Sequence, residues 1–330
     1  MKEILEHLFR HNTFTKEEAT AVLVEIASGK YNQNQIASFL TAFIMRNVTL
    51  DELKGFRDGL LMLCNSIDLT ALNPMDVCGT GGDGKNTFNI STLTSFVLAG
   101  AGVPVAKHGN YGVSSVSGSS NVLEYLGIKF QTEEGILRSQ IEEAGICFLH
   151  APLFHPAMRH VAPVRKELGV KTFFNMLGPL VNPARPKVQM TGVFSLELAR
   201  IYQYLFQEEN VQFCIIHALD GFDEITLTSD CKMITNKGEQ IIQPNDFHFP
   251  KTNYDELFGG NTVQEAAEIF TRIIEGNGTV AQNNVVLSNA SIALQTYYPS
   301  LCLEEAIDMA KESLMGLKAK RSFNILKEVQ

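Results

Sequence analysis

The sequence lacks any apolar segment long enough to cross a membrane. Its longest apolar run, residues 96–106, covers about 11 residues, whereas a spanning helix needs about 20. The first residues, Met1 to Ile4, already include an acid, and no apolar stretch with a small-residue cleavage site follows them. A signal peptide is therefore not expected. These absences predict a soluble protein with a cytoplasmic location and no membrane partner.

Closely spaced cysteines are also missing. The six cysteines never stand in the C-x-x-C spacing of a zinc or redox site, and several lie within apolar, strand-like runs such as residues 213–216. They are predicted to be reduced core residues, because neither a disulfide framework nor a zinc site fits this pattern.

Basic residues are fewer than acidic residues in this chain. The chain has 27 Lys and Arg against 36 Asp and Glu, a net charge of −9, which does not suit a surface that neutralises nucleic acid or an anionic membrane. A local basic pocket remains possible. With 330 residues, 45% of them hydrophobic, the chain can bury the core of one large domain or two smaller ones.

The first 70 residues show only helical patterns, opened by capping boxes at Thr15 with Glu18 and at Thr49 with Glu52. From Pro74 onwards, short apolar runs alternate with helices, which is the rhythm of a parallel sheet. The predicted strands cover residues 75–78, 103–106, 145–149, 187–194 and 211–219, with helices beginning at Ser91 and Ser119.

After Asp223 the sequence predicts three antiparallel strands, at 225–228, 231–235 and 239–242, and then three amphipathic helices. The expected fold is α/β: a small all-helical domain and a larger α/β domain whose mainly parallel central sheet is covered by helices. The predicted domains combine 1–71 with 157–184, and 72–156 with 185–330.

The glycine-rich segment 76–86 follows the first predicted strand, where a backbone can approach a phosphate closely. It matches G-x-G-x-x-G, but no acid follows between Gly84 and Val122 to hold a ribose. It also matches G-x-x-x-x-G-K, but Asn86 stands where Ser or Thr would bind magnesium. A dinucleotide fold and a nucleotide triphosphatase are disfavoured, while a turn that only needs positive φ stays open.

Residues 84–122 contain Lys85, Lys107 and His108 but no acid, so they predict a positive hollow in an acidic protein. Thr87, Asn89, Ser91 and Thr92 add donors ahead of a helix N-terminus, which favours anions. Two simpler interpretations remain: Ser91 as an ordinary N-cap and Lys107 as a solvated loop lysine.

A second basic cluster covers residues 155–171. Helical spacing places Arg165 on one apolar face with Met158, Val161 and Leu168, although Pro163 would kink that helix. A guanidinium in such a place favours an anion, with a salt-bridged or snorkelling arginine as the alternative.

The acidic segment 220–224 follows a predicted strand. Its adjacent carboxylates are hard oxygen ligands suited to magnesium, unless they form only a polar turn.

These motifs resemble one family when taken together. The segments 79–83, 87–92, 107–110, 174–180 and 223–224 follow the order and spacing of anthranilate phosphoribosyltransferase, and the match covers the chain from its N-terminal helices to its C-terminus. The resemblance implies transfer of the phosphoribosyl group of 5-phosphoribosyl 1-pyrophosphate (PRPP) to the amine of anthranilate, with release of pyrophosphate, in tryptophan biosynthesis. It also implies dependence on Mg²⁺ and a homodimer formed through the small helical domain.

The resemblance assigns roles to individual residues. Those implied to bind PRPP are Gly79, Thr80, Gly81, Gly82, Asp83, Thr87, Asn89, Ile90, Ser91, Thr92, Lys107 and Ser119. Those implied to bind anthranilate are Gly79, His108, Asn110, His155 and Arg165, and those implied to hold the metal are Ser91, Asp223 and Glu224. Lys107 and Arg165 would position substrates and stabilise charge, with no certain catalytic residue. Met158 stands where the family often has tyrosine.

Three alternatives are kept. A pyrimidine nucleoside phosphorylase shares the two-domain layout but has no need of Asp223 and Glu224 as metal ligands. A non-catalytic relative that binds nucleic acid would require a cationic surface. A P-loop nucleotide switch would bind nucleoside triphosphates.

Overall fold

The computed structural model describes residues 1–112 and 116–329. The chain divides into two compact units, one formed by residues 1–66 and 151–183 and the other by 67–150 and 184–330. We call them the helical unit and the α/β unit. The sequence predicted that residues 67–71 belong to the helical unit and residues 151–156 to the α/β unit. In the structure, 67–71 belong to the α/β unit and 151–156 to the helical unit.

The α/β unit is built on one seven-stranded sheet with the order β3-β2-β1-β4-β5-β6-β7. Strands β1 to β5 are parallel to one another, whereas β6 pairs antiparallel with β5 and β7 pairs antiparallel with β6. This arrangement confirms the predicted mainly parallel sheet. The strands are β1 (Met75–Val77), β2 (Val105–Gly109), β3 (Ile146–His150), β4 (Val188–Gly192), β5 (Gln212–Ala218), β6 (Cys231–Thr235) and β7 (Gly238–Ile242).

The α-helices follow in chain order. They are α1 (Lys2–Phe9), α2 (Lys16–Ala27), α3 (Gln33–Met45), α4 (Leu50–Met62), α5 (Ile90–Gly100), α6 (Ser119–Tyr125), α7 (Glu134–Ala144), α8 (Ala151–Phe154), α9 (Ala162–Leu168), α10 (Phe174–Leu177), α11 (Leu196–Glu208), α12 (Val263–Ile274), α13 (Val280–Tyr297), α14 (Leu303–Met315) and α15 (Lys318–Glu328). No helix among the described residues is long and apolar enough to cross a membrane.

Helices α5 and α13 form the centre of the α/β core. Nearly every side chain of α5 is buried, and α13 is buried on all sides, including the polar Ser288, Asn289 and Ser291. A helix that is buried all round shows no amphipathic stripe, so the predicted amphipathic pattern does not hold for α13.

The helical unit is closed by aromatic packing. Phe173, from the second segment of the unit, stacks on Phe56 with ring centroids 4.3 Å apart and also contacts Phe39 and Phe43. Such aromatic pairs contribute more than their buried area alone. The capping boxes predicted at Thr15 and Thr49 are both present, as expected for helices that begin at those residues.

Two predictions for the C-terminal third are wrong. Residues 225–228 form no strand, because Leu227 has a φ of +59° and interrupts extended backbone. Four α-helices, α12 to α15, follow where three were expected, since the chain turns through Leu317, with a φ of +61°, between α14 and α15.

Candidate active site

The site lies at the topological switch point of the sheet, where successive strands are added on one side of β1 up to β3 and on its other side from β4 onwards. Strand β1 is flanked by β2 on one side and by β4 on the other, and the carboxyl ends of parallel strands at such a switch point are where α/β proteins bind ligands. The glycine-rich loop leaves β1 at this edge, and the N–H of Thr80 donates to the carbonyl of Gly192 at the end of β4, at 2.9 Å. The hydroxyl of Thr80 is buried without a hydrogen-bond partner among the described residues.

Asp223 packs into a space that only glycines leave open. A Cβ added to Gly79 would lie 2.5 Å from Oδ2 of Asp223, and one added to Gly192 would overlap the backbone of Asp223. The N–H of Gly81 donates to Oδ2 of Asp223 at 2.7 Å. The predicted phosphate loop and the predicted metal ligand are therefore in direct contact, although they are far apart in sequence.

The carboxylates of this cluster disfavour one another's ionisation. Burial, followed by the charge of Asp83, raises the pKa of Asp223 to about 7. Burial and the charges of Asp223 and Asp83 raise the pKa of Glu224 well above its usual range, although Lys107 opposes that shift. Adjacent acids that have lost solvent in this way favour a cation that can offset their charge.

Glu224 caps the helix that follows the phosphate loop. Its Oε1 accepts a hydrogen bond from the N–H of Ser91 at 3.0 Å, in the first turn of α5. Asn89 is the N-cap by position, so the interpretation of Ser91 as the N-cap is wrong. The side-chain amide of Asn89 instead donates to the carbonyl of Ser117 at 3.3 Å.

Lys107 and His108 belong to strand β2 rather than to the loop after it, so the interpretation of Lys107 as a solvated loop lysine is wrong. Lys107 is 2% exposed and donates from Nζ to the carbonyl of Val77 at 2.7 Å, at the end of β1. The N–H of His108 donates to the carboxylate of Asp76 at 3.1 Å. A buried ammonium at this edge of the sheet places positive charge close to Glu224.

The remaining residues that the resemblance assigns to PRPP also lie in the α/β unit. Thr87 forms a backbone bridge with Phe258, and Gly82, Ile90 and Thr92 are buried. Ser119 is the first residue of α6, and its hydroxyl donates to the carbonyl of Asn110 at 3.4 Å.

The residues that the resemblance assigns to anthranilate are divided between the two units. Gly79, His108 and Asn110 belong to the α/β unit, whereas His155 and Arg165 belong to the helical unit. His155 is 5% exposed, and its Nε2 lies 2.8 Å from the carbonyl of Val181. Burial lowers its pKa, although the bond to Val181 opposes the shift.

Arg165 is not placed as the helical spacing suggested. Residues 156–160 form a 3₁₀ helix and α9 begins afresh at Ala162, with Pro163 in its first turn, so Met158 does not share a helix face with Arg165. The guanidinium lies 5.3 Å from the Phe174 ring centroid and donates to the side-chain carbonyl of Asn175 at 3.3 Å.

The guanidinium of Arg165 has no acidic partner among the described residues. Burial lowers its pKa to about 10. A partly buried cation with only neutral contacts retains capacity to bind an anion.

The donor set at Asp223 and Glu224 fits magnesium. Carboxylate oxygens are its preferred protein ligands, and it is usually held by one or two carboxylates together with substrate phosphates. No three His, Cys, Asp or Glu side chains within the described part of the chain form a ready metal cage. The site therefore offers the partial coordination that a metal–diphosphate complex would complete.

One contact of the glycine-rich loop was not predicted from the sequence. The ammonium of Lys85 lies 4.9 Å from the ring centroid of Phe222 and 5.5 Å from that of Tyr254, a cation–π arrangement that ties the glycine-rich loop to the residue before Asp223. No local pattern could have paired these residues, because they are distant in sequence.

Comparison with known proteins covers both units. The family model described as "Glycosyl transferase family, helical bundle domain" matches residues 2–64, and "Glycosyl transferase family, a/b domain" matches residues 72–320. The chain is 57% identical over 329 residues to the anthranilate phosphoribosyltransferase of Flavobacterium johnsoniae, covering 100% of this chain and 99% of that protein.

Two solved structures share the fold. The crystal structure of anthranilate phosphoribosyltransferase from Thermus thermophilus matches with a TM-score of 0.91 and 31% identity, over 99% of this chain and 98% of that one. The enzyme from Saccharomyces cerevisiae in complex with PRPP and Mg also gives a TM-score of 0.91, at 25% identity over 99% of this chain and 96% of that one.

Proposed function

Because the chain belongs to the anthranilate phosphoribosyltransferase family, we infer that it transfers the phosphoribosyl group of PRPP to the amine of anthranilate. The products are N-(5-phosphoribosyl)anthranilate and pyrophosphate, in tryptophan biosynthesis. The single observation that carries this conclusion is the 57% identity to a named transferase over the full length. A pyrimidine nucleoside phosphorylase, a nucleic-acid-binding relative and a P-loop switch are not favoured. A cytoplasmic location stays a prediction.

We propose that the α/β unit binds PRPP at the glycine-rich loop. The contact between Gly81 and Asp223 and the unpartnered hydroxyl of Thr80 support a diphosphate there, with Lys107 as the nearby buried cation. The other residues assigned to this substrate are Gly79, Gly82, Asp83, Thr87, Asn89, Ile90, Ser91, Thr92 and Ser119.

We further propose that Asp223, Glu224 and Ser91 hold magnesium together with the diphosphate. The raised pKa values of both acids support this assignment, as does the Mg in the PRPP complex of the yeast relative. Bound magnesium supplies positive charge that offsets the charge developing on the leaving pyrophosphate.

The chemistry requires positioning rather than a strong base. The aromatic amine of anthranilate is neutral near pH 7, so no side chain has to remove a proton before it attacks. Loop amides and Lys107 stabilise the leaving group, and the substrates gain from being held in the correct orientation. Arg165 is proposed to bind the acceptor carboxylate, with Gly79, His108, Asn110 and His155 assigned to the same substrate.

The reaction is tested by mixing the protein with magnesium, PRPP and anthranilate and following the loss of anthranilate fluorescence. We expect a loss that requires all three components and releases one pyrophosphate for each anthranilate consumed. Phosphorolysis of a pyrimidine nucleoside with no loss of anthranilate would overturn the proposal in favour of the phosphorylase.

We propose a homodimer formed through the helical unit. Helices α1 and α3 expose Phe9, at 63%, and Met45, at 81%, beside a groove of about 470 Å³ that also includes Ala42 and Thr41. A second copy would cover this apolar surface. Light scattering is expected to give about twice the chain mass of 36.5 kDa. Met45→Glu is expected to lower the measured mass towards that of one chain. A monomer mass of the parent protein at all concentrations would contradict the dimer.

A further inference from the structure

The backbone immediately after the acid pair is held by a single side chain. Ile225 follows Glu224, and its N–H donates to Oδ1 of Asn289 at 3.1 Å. Nδ2 of Asn289 donates in turn to the carbonyl of Ile225 at 2.7 Å. The amide of Asn289 thus satisfies both backbone groups of one residue, as a neighbouring strand would.

This contact is unusual for its helix. Asn289 lies on α13 and is 2% exposed. The hydroxyls of Ser288 and Thr296, on the same buried helix, bond to helix carbonyls four residues earlier. Asn289 makes such a bond to Val285, at 2.8 Å, but also reaches out of the helix to Ile225. Its two bonds to Ile225 are therefore not needed to satisfy the helix itself.

The segment depends on this support because it has no strand to hold it. Residues 225–228 lie outside the sheet, and Leu227 has a left-handed backbone. The carbonyl of Leu227 accepts from the N–H of Thr252 at 2.9 Å, two residues beyond Ile225. Asn289 is thus the contact that fixes the backbone directly next to the carboxylate of Glu224.

We propose that Asn289 is a positioning residue that holds Asp223 and Glu224 in the geometry that binds the magnesium–diphosphate complex. The inference rests on the proposed magnesium role of these two acids. Partners of metal ligands matter because they fix the orientation of the ligands, and their loss typically weakens metal binding or activity by about 10- to 100-fold. Asn289 touches neither substrate nor metal in this role.

The test compares Asn289→Leu, which removes the amide with little change in volume, with Thr296→Val, an apolar isostere on the same helix. Magnesium is titrated in the presence of inorganic pyrophosphate, and binding is measured by the rise in melting temperature. We expect Asn289→Leu to raise the magnesium concentration at half effect by about 10-fold or more. Thr296→Val should leave it within about twofold of the parent. In assays, the KM for PRPP should rise while that for anthranilate changes little.

Other outcomes are equally decisive. If Asn289→Leu melts at a lower temperature but keeps the parent's magnesium dependence and KM values, Asn289 is only structural and the proposal is wrong. If Asn289→Leu does not fold, Asn289→Ser is measured in the same way, and failure of both to fold would assign the residue to stability alone. A parent protein with no magnesium dependence would instead overturn the metal role of Asp223 and Glu224.

Discussion

Two groups of acidic residues, one in each unit, show opposite electrostatics. In the helical unit, Glu52 is fully buried and receives two hydrogen bonds from Arg46, at 2.5 and 2.9 Å, and others from the backbone of Phe14 and Thr49. Burial alone would raise its pKa, but these bonds lower it. In the α/β unit, burial and neighbouring acids raise the pKa values of Asp223 and Glu224. The difference lies in the partners rather than in burial.

The comparison separates a structural charge from charges available for function. The charge of Glu52 is neutralised by Arg46, and both of its carboxylate oxygens already accept hydrogen bonds within the fold. Asp223 and Glu224 form no ion pair among the described residues, and the same holds for the partly buried cation Arg165. Charges that lose solvent without gaining a partner are costly to keep, so the two acids suit a cation and Arg165 suits an anion.

The largest effect is expected from breaking the compensated pair. Arg46→Leu would leave Glu52 charged and buried without its partner, which typically costs about 3–5 kcal/mol of stability. The double variant Arg46→Leu with Glu52→Gln should recover part of this loss, because it removes the charge as well. Chemical denaturation followed by circular dichroism measures both. Equal stability of the single variant and the parent would show that the pair does not stabilise the helical unit.

The uncompensated acids should behave in the opposite way. Asp223→Asn with Glu224→Gln should retain the fold but lose magnesium-supported turnover, by about a hundredfold if about 3 kcal/mol of charge stabilisation is removed. Asp220→Asn is the matched control, since Asp220 lies in the same turn but bonds to Thr228 and Ser229. Unchanged turnover and unchanged magnesium dependence in the double variant would contradict the assignment.

Arg165 is a partly buried cation without an acidic partner among the described residues. Arg165→Ala should raise the KM for anthranilate by about ten- to a hundredfold, because a charge-assisted contact is worth about 1.5–3 kcal/mol. The KM for PRPP should change little. Lys166→Ala, an exposed neighbour on the same helix, is the control. Loss of PRPP binding with anthranilate affinity retained would place Arg165 at the phosphate site instead.

The smallest effect concerns pH in the absence of magnesium. The pKa of Asp223 is raised from 3.8 to about 7, so its contribution to stability is complete below about pH 4 and is lost as pH rises through 7. Glu52, with a lowered pKa, contributes above its ordinary value of 4.5 and loses this contribution on acidification. The melting temperature of Asp223→Asn should therefore rise relative to that of the parent as the pH is raised from 4 to 7. A constant difference would argue against the raised pKa.

The features of this fold that depend on local pattern are predictable from the sequence. Residue types at a fixed spacing revealed the helical N-terminal segment, the capping boxes at Thr15 and Thr49 and the parallel strands, together with the segments that carry the glycine-rich loop and the two acids. The backbone conformation is not predictable from local pattern where it depends on a residue that is distant in sequence. Residues 225–228 have the composition of a strand, but the side chain of Asn289, distant in sequence, bonds there in place of a partner strand.

The sequence by itself determined which chemical groups this protein has and the order in which strands and helices present them. Only the tertiary structure decided which charges are compensated. It buried Lys107 against the end of β1 and brought Asp223 into contact with Gly79 and Gly81. It also gave Glu52 a guanidinium partner, which Asp223 and Glu224 do not have within the described part of the chain. The physical reason is that the cost of a buried charge depends on partners within a few ångströms, and folding brings those partners from distant parts of the chain.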